Sequence, residues 1–296
     1  GAWKTLNWPP FDRFAGPADV YHFPNFILPP LKRGAGVVTI HDMGFMRFPE
    51  WAETRNLRYL SARIGDTVRR AKAIIAVSQF SADEVQDLLK VPADRLFAIP
   101  EGISPSFRSP GPEAVQVFRK KRGLDRPYLL TVGTVEPRKN LPFFARIFDL
   151  LKGFEGDWVI AGRLGWKYEP ILQALRSSSR AGRIRLITDL ADNDLPALYA
   201  GAELFVFPSL YEGFGFPPLE AMACGTPVVS STGGSLKEIL EGAAVLIEPT
   251  REEEWKARIE SLLSDTQARQ EWIRRGKERV LKFDWRDTAR RTWDVY

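Results

Sequence analysis

The stretch of sequence that decides the fold is residues 211–230, YEGFGFPPLEAMACGTPVVS. It follows a short apolar run at 204–208, which is typical of a buried parallel strand. Pro217 and Pro218 suit the first turn of a helix, where a missing N–H costs nothing, and a second buried strand is predicted at 227–231. The stretch is therefore a strand–loop–helix–strand segment of a parallel α/β sheet.

Two glutamates, Glu212 and Glu220, lie on either side of this strand-to-helix junction. We expect Glu212 in the loop above the sheet and Glu220 about one turn into the helix. Ligands bind at the carboxyl edge of open α/β sheets, where a helix N-terminus also carries partial positive charge. The pair suits a ligand with hydroxyls and phosphate, such as a nucleotide sugar. Either glutamate alone could equally be a surface residue that the helix dipole favours.

Short apolar strands alternate with helical patterns along the chain, which predicts βαβ units and parallel sheets. Four strands are predicted in a first domain, at 19–23, 36–42, 73–78 and 96–100. Six are predicted in a second, doubly wound domain, at 128–134, 158–162, 184–187, 203–208, 227–231 and 244–247. Residues 101–112 are rich in turn-forming residues and are typical of an interdomain linker.

Helix signals fill the gaps between these strands. One helix is predicted over 53–72, one over 81–90 with Ser81 as its N-cap, and one over 192–200. Asn140 is the predicted cap of the helix that follows the strand at 128–134. The tail from Arg251 is also predicted to be helical.

Composition bounds the class of protein. The chain has 296 residues, enough for two domains, and 44% hydrophobic residues, which excludes a disordered chain. The one cysteine, Cys224, is predicted to be buried, and its isolation favours a reducing, cytoplasmic compartment. No apolar run approaches the roughly 20 residues that a membrane span needs.

The net charge of +5 raises the question of two anionic partners, nucleic acid and a membrane surface. No basic cluster has the spacing of a nucleic-acid-binding module, so no nucleic-acid partner is predicted. Six cations on the predicted helix suit a peripheral contact with an anionic membrane surface, and an ordinary solvated helix face explains them equally well. They are Arg55, Arg58, Arg63, Arg69, Arg70 and Lys72.

The glutamate pair lies in the pattern Glu-x7-Glu with GFG-P-LEAMA-G-PVV, which resembles the retaining GT-B glycosyltransferases of the large family 4, or group 1, type. The resemblance covers nearly the whole chain and is closest to bacterial mannosyltransferases. It implies the GT-B fold, an α/β architecture of two Rossmann-like, doubly wound domains facing across a cleft. The implied parts are a partial acceptor-side domain at 1–108, a nucleotide-sugar-binding domain at 109–280, and a helix at 281–296 that crosses back to the first domain.

The first domain departs from the family pattern. Relatives carry further residues before the equivalent of Asp19, including a Gly-rich βα turn near the donor phosphates and the acceptor. Nothing in residues 1–16 resembles that turn. We therefore expect the chain to be a fragment rather than a naturally reduced protein.

The resemblance implies roles for residues on both sides of the cleft. Glu220 would accept the vicinal ribose hydroxyls of the nucleotide, for which a carboxylate has enough lone pairs. Glu212 would approach the transferred sugar, and Phe214 and Gly215 would present backbone N–H groups to it. His41, at the end of a first-domain strand, would hydrogen-bond the donor sugar, whereas His22 is expected to be structural.

A second motif, GTVEPRKN at 133–140, follows a buried strand. Gly133 and Thr134 would line the donor site, and Arg138 and Lys139 would hold the leaving diphosphate by charge and hydrogen bonds. Many relatives carry arginine where this chain has Thr134, so the assignment within the basic pair is open.

The implied activity is a metal-independent hexosyl transfer, with retention, from an NDP-sugar to a glycan or lipid-linked acceptor. GDP-mannose is the preferred candidate for the donor and a UDP-hexose is the second candidate. No cofactor is expected. Asp192-Asn-Asp194 spells a metal-binding Asp-x-Asp, but we expect it to open a helix instead. The alternatives are an inactive nucleotide-sugar-binding fragment or subunit, and a GT-B relative with epimerase or phosphorylase chemistry.

Overall fold

The computed structural model describes residues 8–296. The described chain divides into two compact units. One ends at Gly102 and takes in Trp285–Tyr296 as well, and the other is Ile103–Asp284. The predicted boundaries after 108 and 280 stay predictions, and residues 1–7 of the predicted first domain lie outside the described residues.

The first unit has a four-stranded parallel sheet in the order β1-β2-β3-β4. Its strands are β1 Val20–Phe23, β2 Ala35–Ile40, β3 Ala73–Ala76 and β4 Leu96–Ala98. Its described helices are Asp12–Ala15, Gly44–Arg47, Thr54–Ser61, Ile64–Arg70, Gln79–Leu89 and Trp285–Trp293. Short 3-10 turns lie at Pro49–Trp51 and Ala93–Arg95. Each predicted first-domain strand is therefore present.

Helices cover the central strands of this sheet. Val38, Ile40 and Ile74 are completely buried and pack in one cluster with Met43 and Val85. Strands buried on both faces need apolar side chains at successive positions, which is why they lack an alternating pattern.

Two helix predictions in the first unit are wrong. The helix over 53–72 is broken at Ala62 and Arg63, and the break turns Ile64 and Val68 into the core, whereas Thr54–Ser61 has no buried residue. Ser81 is not an N-cap. Ser78 caps the helix, because its extended backbone lets its hydroxyl accept from the Ser81 N–H at 3.0 Å.

The helix Trp285–Trp293 packs against the end of β4. Arg291 donates to the carbonyl of Ala98 at 2.6 Å, and the Thr288 hydroxyl donates to the carbonyl of Pro100 at 2.8 Å. A Cβ atom on Gly102 would lie 2.3 Å from the Trp285 nitrogen. The end of the chain is therefore a built part of the first unit.

The second unit has a six-stranded sheet in the order β10-β9-β8-β5-β6-β7. Its parallel strands are β5 Tyr128–Val132, β6 Asp157–Ala161, β7 Ile184–Ile187, β8 Leu204–Phe207, β9 Val228–Ser231 and β10 Val245–Ile247. The chain begins in the middle at β5, runs outward to β7, and returns to the other side of β5 at β8. This is the doubly wound Rossmann order, with its switch point between β5 and β8.

Helices cover this sheet as well. Those described in the second unit are Pro112–Arg122, Leu141–Leu150, Glu169–Arg176, Leu195–Ala200, Phe216–Ala223, Leu236–Ile239, Glu252–Ser264 and Thr266–Val280. Short 3-10 turns lie at Pro137–Lys139, Ala181–Arg183 and Asp192–Asp194. Phe144, Phe148, Trp158 and Trp255 are completely buried in the core. The core fixes the sheet rigidly, so loops at its carboxyl edge have a stable base.

Two local predictions in this unit are wrong. Residues 192–194 form a 3-10 turn and the α-helix begins at Leu195, because Pro196 fits only the first turn of a helix. Asn140 has the predicted cap position, but its left-handed backbone (φ 55°) gives no side-chain capping bond to the described helix.

Candidate active site

The carboxyl ends of β5 and β8 bring the two sequence motifs together. The loop after β5 contains Arg138 and Lys139, and the loop after β8 contains Glu212. The Leu210 N–H donates to the Arg138 carbonyl at 2.7 Å, so the loops are joined by their backbones as well. The cluster thus lies at the switch point of the sheet, where open α/β sheets bind ligands.

Glu212 is held between two cations. Its Oε1 accepts from Lys139 Nζ at 2.6 Å and from the Ser209 hydroxyl at 2.6 Å, and its Oε2 accepts from Arg138 Nη1. Arg138 Nη1 also donates to the Tyr211 carbonyl at 3.1 Å. Both carboxylate oxygens are therefore engaged by charged donors.

Burial makes this cluster electrostatically strong. Glu212 is 7% exposed and Lys139 is 6% exposed. Burial alone raises the pKa of Glu212, but the charges of Arg138 and Lys139 outweigh it and lower that pKa to about 2. Glu212 is thus ionised, whereas burial lowers the pKa of Lys139 and the charge of Glu212 opposes that fall. The side chain of Arg138 is 29% exposed, so Arg138 is the cation that a ligand can reach.

Glu136 completes the cluster and was missed by the sequence reasoning. It is 1% exposed, its Oε1 lies 2.7 Å from Arg138 Nε, and its Oε2 has no hydrogen-bond partner among residues 8–296. Burial raises the pKa of Glu136. The signal available was an acidic residue two positions before Arg138 in the same motif.

Neighbouring loop residues support the cluster by close packing. Gly133 has a φ of 147°, and a Cβ there would lie 3.2 Å from Lys139 Cε. Gly215 precedes the helix Phe216–Ala223, and the Phe214 carbonyl accepts from the Ser235 hydroxyl at 2.9 Å. The site roles of Gly133, Phe214 and Gly215 stay predictions.

Glu220 lies on the helix Phe216–Ala223, half-buried, in a separate contact. The hydroxyl of Tyr199 donates to its Oε2 at 2.7 Å. Burial raises the pKa of Glu220, and this hydrogen bond opposes the rise. The predicted ribose-binding carboxylate is thus held by a residue that the sequence reasoning did not identify.

A cavity of about 180 Å³ opens at the carboxyl ends of β5, β6 and β7. It is lined by Gly133 and Thr134 from the loop after β5 and by Thr188 and Asp192 from the loop after β7. Asp194, in contrast, lies 3.5 Å from both Lys121 and Arg122. Among the residues described, no cluster of three or more His, Cys, Asp or Glu side chains could hold a metal ion.

The two histidines lie in the first unit. His41 Nε2 donates to the Pro24 carbonyl at 2.8 Å, and its Nδ1 lies 3.6 Å from the carboxylate of Glu101, which is the main cause of the raised pKa of His41. His22 lies 2.6 Å from the Tyr296 hydroxyl and 2.8 Å from that of Thr39, a structural contact. The donor-binding role of His41 stays a prediction.

The six cations predicted for a membrane contact divide into two groups. Arg70 points inward, with its Nε 2.8 Å from Asp66 and its Nη1 3.0 Å from the Pro29 carbonyl, and Arg63 is half-buried. Arg55, Arg58, Arg69 and Lys72 are exposed. Over the described part of the chain, no helix has the length and apolar character to span a bilayer. Cys224 is buried, as predicted.

Family models match both units of the chain. The model described as "Glycosyl transferases group 1" matches residues 114–279, and "Glycosyltransferase Family 4" matches residues 10–107. The first match covers more than half of the chain and contains both motifs at the switch point. The chain belongs to the glycosyl transferases group 1 family.

Individual relatives of this glycosyltransferase agree with that assignment. This chain is 35% identical over 282 residues to the O-antigen chain mannosyltransferase B of Escherichia coli, and the match covers 94% of this chain and 74% of the relative. The serotype-specific mannosyltransferase WbdA of the same species is 34% identical over 228 residues, which are 74% of this chain and 28% of that protein. The resemblance to bacterial mannosyltransferases is therefore confirmed.

Solved structures confirm the fold class. Anabaena Alr3699/HepE, in a structure with UDP-glucose, superposes with a TM-score of 0.77 at 21% identity, covering 88% of this chain and 72% of that one. Together with the two parallel α/β units, this confirms the predicted GT-B class. The family match and the mannosyltransferase relatives confirm a glycosyltransferase enzyme.

Proposed function

We propose that this glycosyltransferase moves a hexose from an NDP-sugar to a glycan or lipid-linked acceptor with retention of the anomeric configuration. Mannose is our first candidate for that hexose. The observation that carries the proposal is the buried Glu212, ionised and held by Arg138 and Lys139 at the switch point. The relatives named as mannosyltransferases support mannose as the sugar. The cavity beside Thr134 and Asp192 is our candidate for the nucleoside.

The charges of the cluster suit the departure of a diphosphate. Arg138 has exposed surface and can meet the phosphates directly, whereas the buried Lys139 acts on them through its field. Cations held in place before the reaction need no reorganisation as negative charge develops on the leaving group. Because these side chains supply the positive charge, we propose that transfer is independent of a metal ion.

The hydrogen bonds of Glu212 bear on how the proposed retention is achieved. A double displacement needs a carboxylate with an oxygen free to attack the anomeric carbon, but Lys139, Ser209 and Arg138 engage both oxygens of Glu212. We therefore propose a same-face displacement. The C1–O bond to the diphosphate breaks, the acceptor oxygen attacks from the same side, and the departing phosphate oxygen takes the acceptor proton.

The test measures transfer and donor binding separately. Wild type is assayed with GDP-mannose and UDP-hexoses in the presence of EDTA, and the product anomer is assigned by NMR. Glu212→Gln is expected to lower kcat about 100-fold or more, as loss of an electrostatic group in an active site does, while Glu220→Gln raises the donor KM. Glu155→Gln, an exposed glutamate in the same unit, is the control.

The opposing outcomes are distinct. Wild-type kinetics in both variants would show that the site is elsewhere, and an inverted product would refute the same-face mechanism. Donor binding without transfer would support the inactive alternative. Sugar isomerisation, or phosphorolysis without an acceptor, would support epimerase or phosphorylase chemistry.

We also propose that Arg55, Arg58, Arg69 and Lys72 contact an anionic membrane surface at the cytoplasmic face. Each cation near such a surface contributes about 1 kcal/mol. Vesicle flotation should recover the protein with phosphatidylglycerol vesicles and not with phosphatidylcholine vesicles, and Arg55→Glu/Arg58→Glu should abolish recovery. Arg274→Glu on the second unit is the control, and equal loss of recovery in that variant would contradict a specific contact.

A further inference from the structure

Tyr199 is a completely buried tyrosine that contacts the proposed ribose-binding carboxylate. It lies on the helix Leu195–Ala200, and its hydroxyl donates to Glu220 Oε2 at 2.7 Å. This contact joins the helix that precedes β8 in the chain to the helix that follows it. Neither residue type nor spacing in the sequence predicted it.

The surroundings of Tyr199 make it a fixed donor. Its carbonyl accepts from the Thr226 hydroxyl at 2.6 Å. Its ring centroid lies 5.6 Å from that of Phe205 and 6.1 Å from that of Phe107. Because this packing holds the phenol in place, the hydrogen bond forms only when the carboxylate of Glu220 is oriented toward the Tyr199 hydroxyl.

The terminal torsion of a glutamate is soft. Rotation of the carboxylate about its last carbon–carbon bond has broad minima, so an unheld Glu220 samples many orientations. The bond from Tyr199 fixes one oxygen and leaves Oε1 as the acceptor with a defined direction. Supporting groups of this kind set the precision of a binding site.

We propose that Tyr199 is a positioning residue that orients Glu220 for the ribose hydroxyls and so makes the site select ribonucleotides over 2′-deoxyribonucleotides. This inference rests on the proposed function, in which Glu220 binds the ribose. The hydrogen bond also opposes the rise that burial causes in the pKa of Glu220.

The test is calorimetric titration of wild type and Tyr199→Phe with GDP, 2′-deoxy-GDP, UDP and 2′-deoxy-UDP. Wild type is expected to prefer the ribonucleotide of the base that it binds. Tyr199→Phe should weaken ribonucleotide binding about tenfold, the size of one lost hydrogen bond to a charged group. It should weaken deoxyribonucleotide binding less, because a 2′-deoxyribose offers only its 3′-hydroxyl to Glu220, so the ratio of ribonucleotide to deoxyribonucleotide affinity should fall.

Tyr128→Phe is the matched control. Tyr128 is also completely buried in the second unit, and its hydroxyl donates to the Leu198 carbonyl at 2.7 Å. This substitution removes an equivalent buried phenol hydroxyl without contacting Glu220. The ratio of ribonucleotide to deoxyribonucleotide affinity should therefore match that of wild type.

Three outcomes overturn the inference or its basis. If Tyr199→Phe lowers the Tm as Tyr128→Phe does and keeps the wild-type affinity ratio, Tyr199 is only structural. If Tyr199→Phe does not fold, Glu220→Asp replaces it, because aspartate keeps the charge but withdraws the carboxylate from Tyr199. A wild-type ratio of ribonucleotide to deoxyribonucleotide affinity in Glu220→Asp would also contradict the inference. If wild type and Glu220→Gln bind both sugars alike, the ribose role of Glu220 fails, and the positioning role fails with it.

Discussion

Glu212 shows how one side chain can set the charge balance of a site. Its folded-state pKa lies below the usual 4.5, at about 2. A depressed carboxyl pKa contributes stability that is complete above pH 4.5 and is lost as the pH falls toward 2. The acid limb of the stability curve should therefore report on this residue.

We predict that the free energy of unfolding of wild type falls by about 3 kcal/mol more than that of Glu212→Gln between pH 6 and pH 2. Urea denaturation at four pH values in this range checks it. The two proteins must be compared as a difference, because the raised pKa of Glu136 acts in the opposite direction. Parallel curves for the two proteins would show that Glu212 is not held by Arg138 and Lys139.

Sequence reasoning identified Glu212, Arg138 and Lys139 but not their pairing. Arg138 and Glu212 lie 74 positions apart, and Lys139 and Glu212 lie 73 apart, so no local pattern joins them. Glu136 and Tyr199 were missed for a related reason. Burial of a polar group depends on what packs over it from distant parts of the chain, which no local sequence pattern reports.

At the scale of elements, the loop after β9 supports the Glu212 loop from behind. The Ser235 N–H donates to the Glu212 carbonyl at 2.9 Å. Gly234 has a φ of 66°, and a Cβ there would lie 2.3 Å from the same carbonyl oxygen. The position of Glu212 therefore depends on the absence of a side chain at residue 234.

We predict that Gly234→Ala displaces Glu212 and lowers transfer activity at least tenfold. Gly242→Ala is the control, because its φ is 69° and, apart from residues 241–243, no described residue has an atom within 4 Å of the added Cβ. The control should lose only about 1 kcal/mol of stability to backbone strain and keep its activity. Kinetics and thermal unfolding of both variants measure this, and equal activities would contradict the support role.

Strands were predicted better than helices. Each of the ten strands lies within a residue or two of its apolar run, because an apolar run buried on both faces has few other structures open to it. The break at Ala62 and Arg63 was not predicted, since neither residue is Gly or Pro and the nearby Gly65 lies inside the helix that follows. It is set by which side chains reach the core, a tertiary effect.

On the scale of the whole molecule, the first unit depends on the end of the chain. Trp285–Trp293 supplies the hydrogen bonds from Arg291 and Thr288 to the end of β4. We predict that deleting residues 285–296 removes hydrogen-exchange protection from Leu96–Ala98. The edge strand β7 in the second unit, Ile184–Ile187, should keep its protection. Unchanged exchange in β4 would show that the helix is dispensable.

The path of the chain has a practical consequence for dissecting the enzyme. It enters the second unit at Ile103 and leaves it at Asp284, and the Ile103 N–H donates to the Phe283 carbonyl at 3.0 Å, so both ends of this unit lie side by side. A gene encoding residues 103–284 would therefore express the second unit as one uninterrupted polypeptide. The other half needs a splice from codon 102 to codon 285, which the contact between Gly102 and Trp285 makes short.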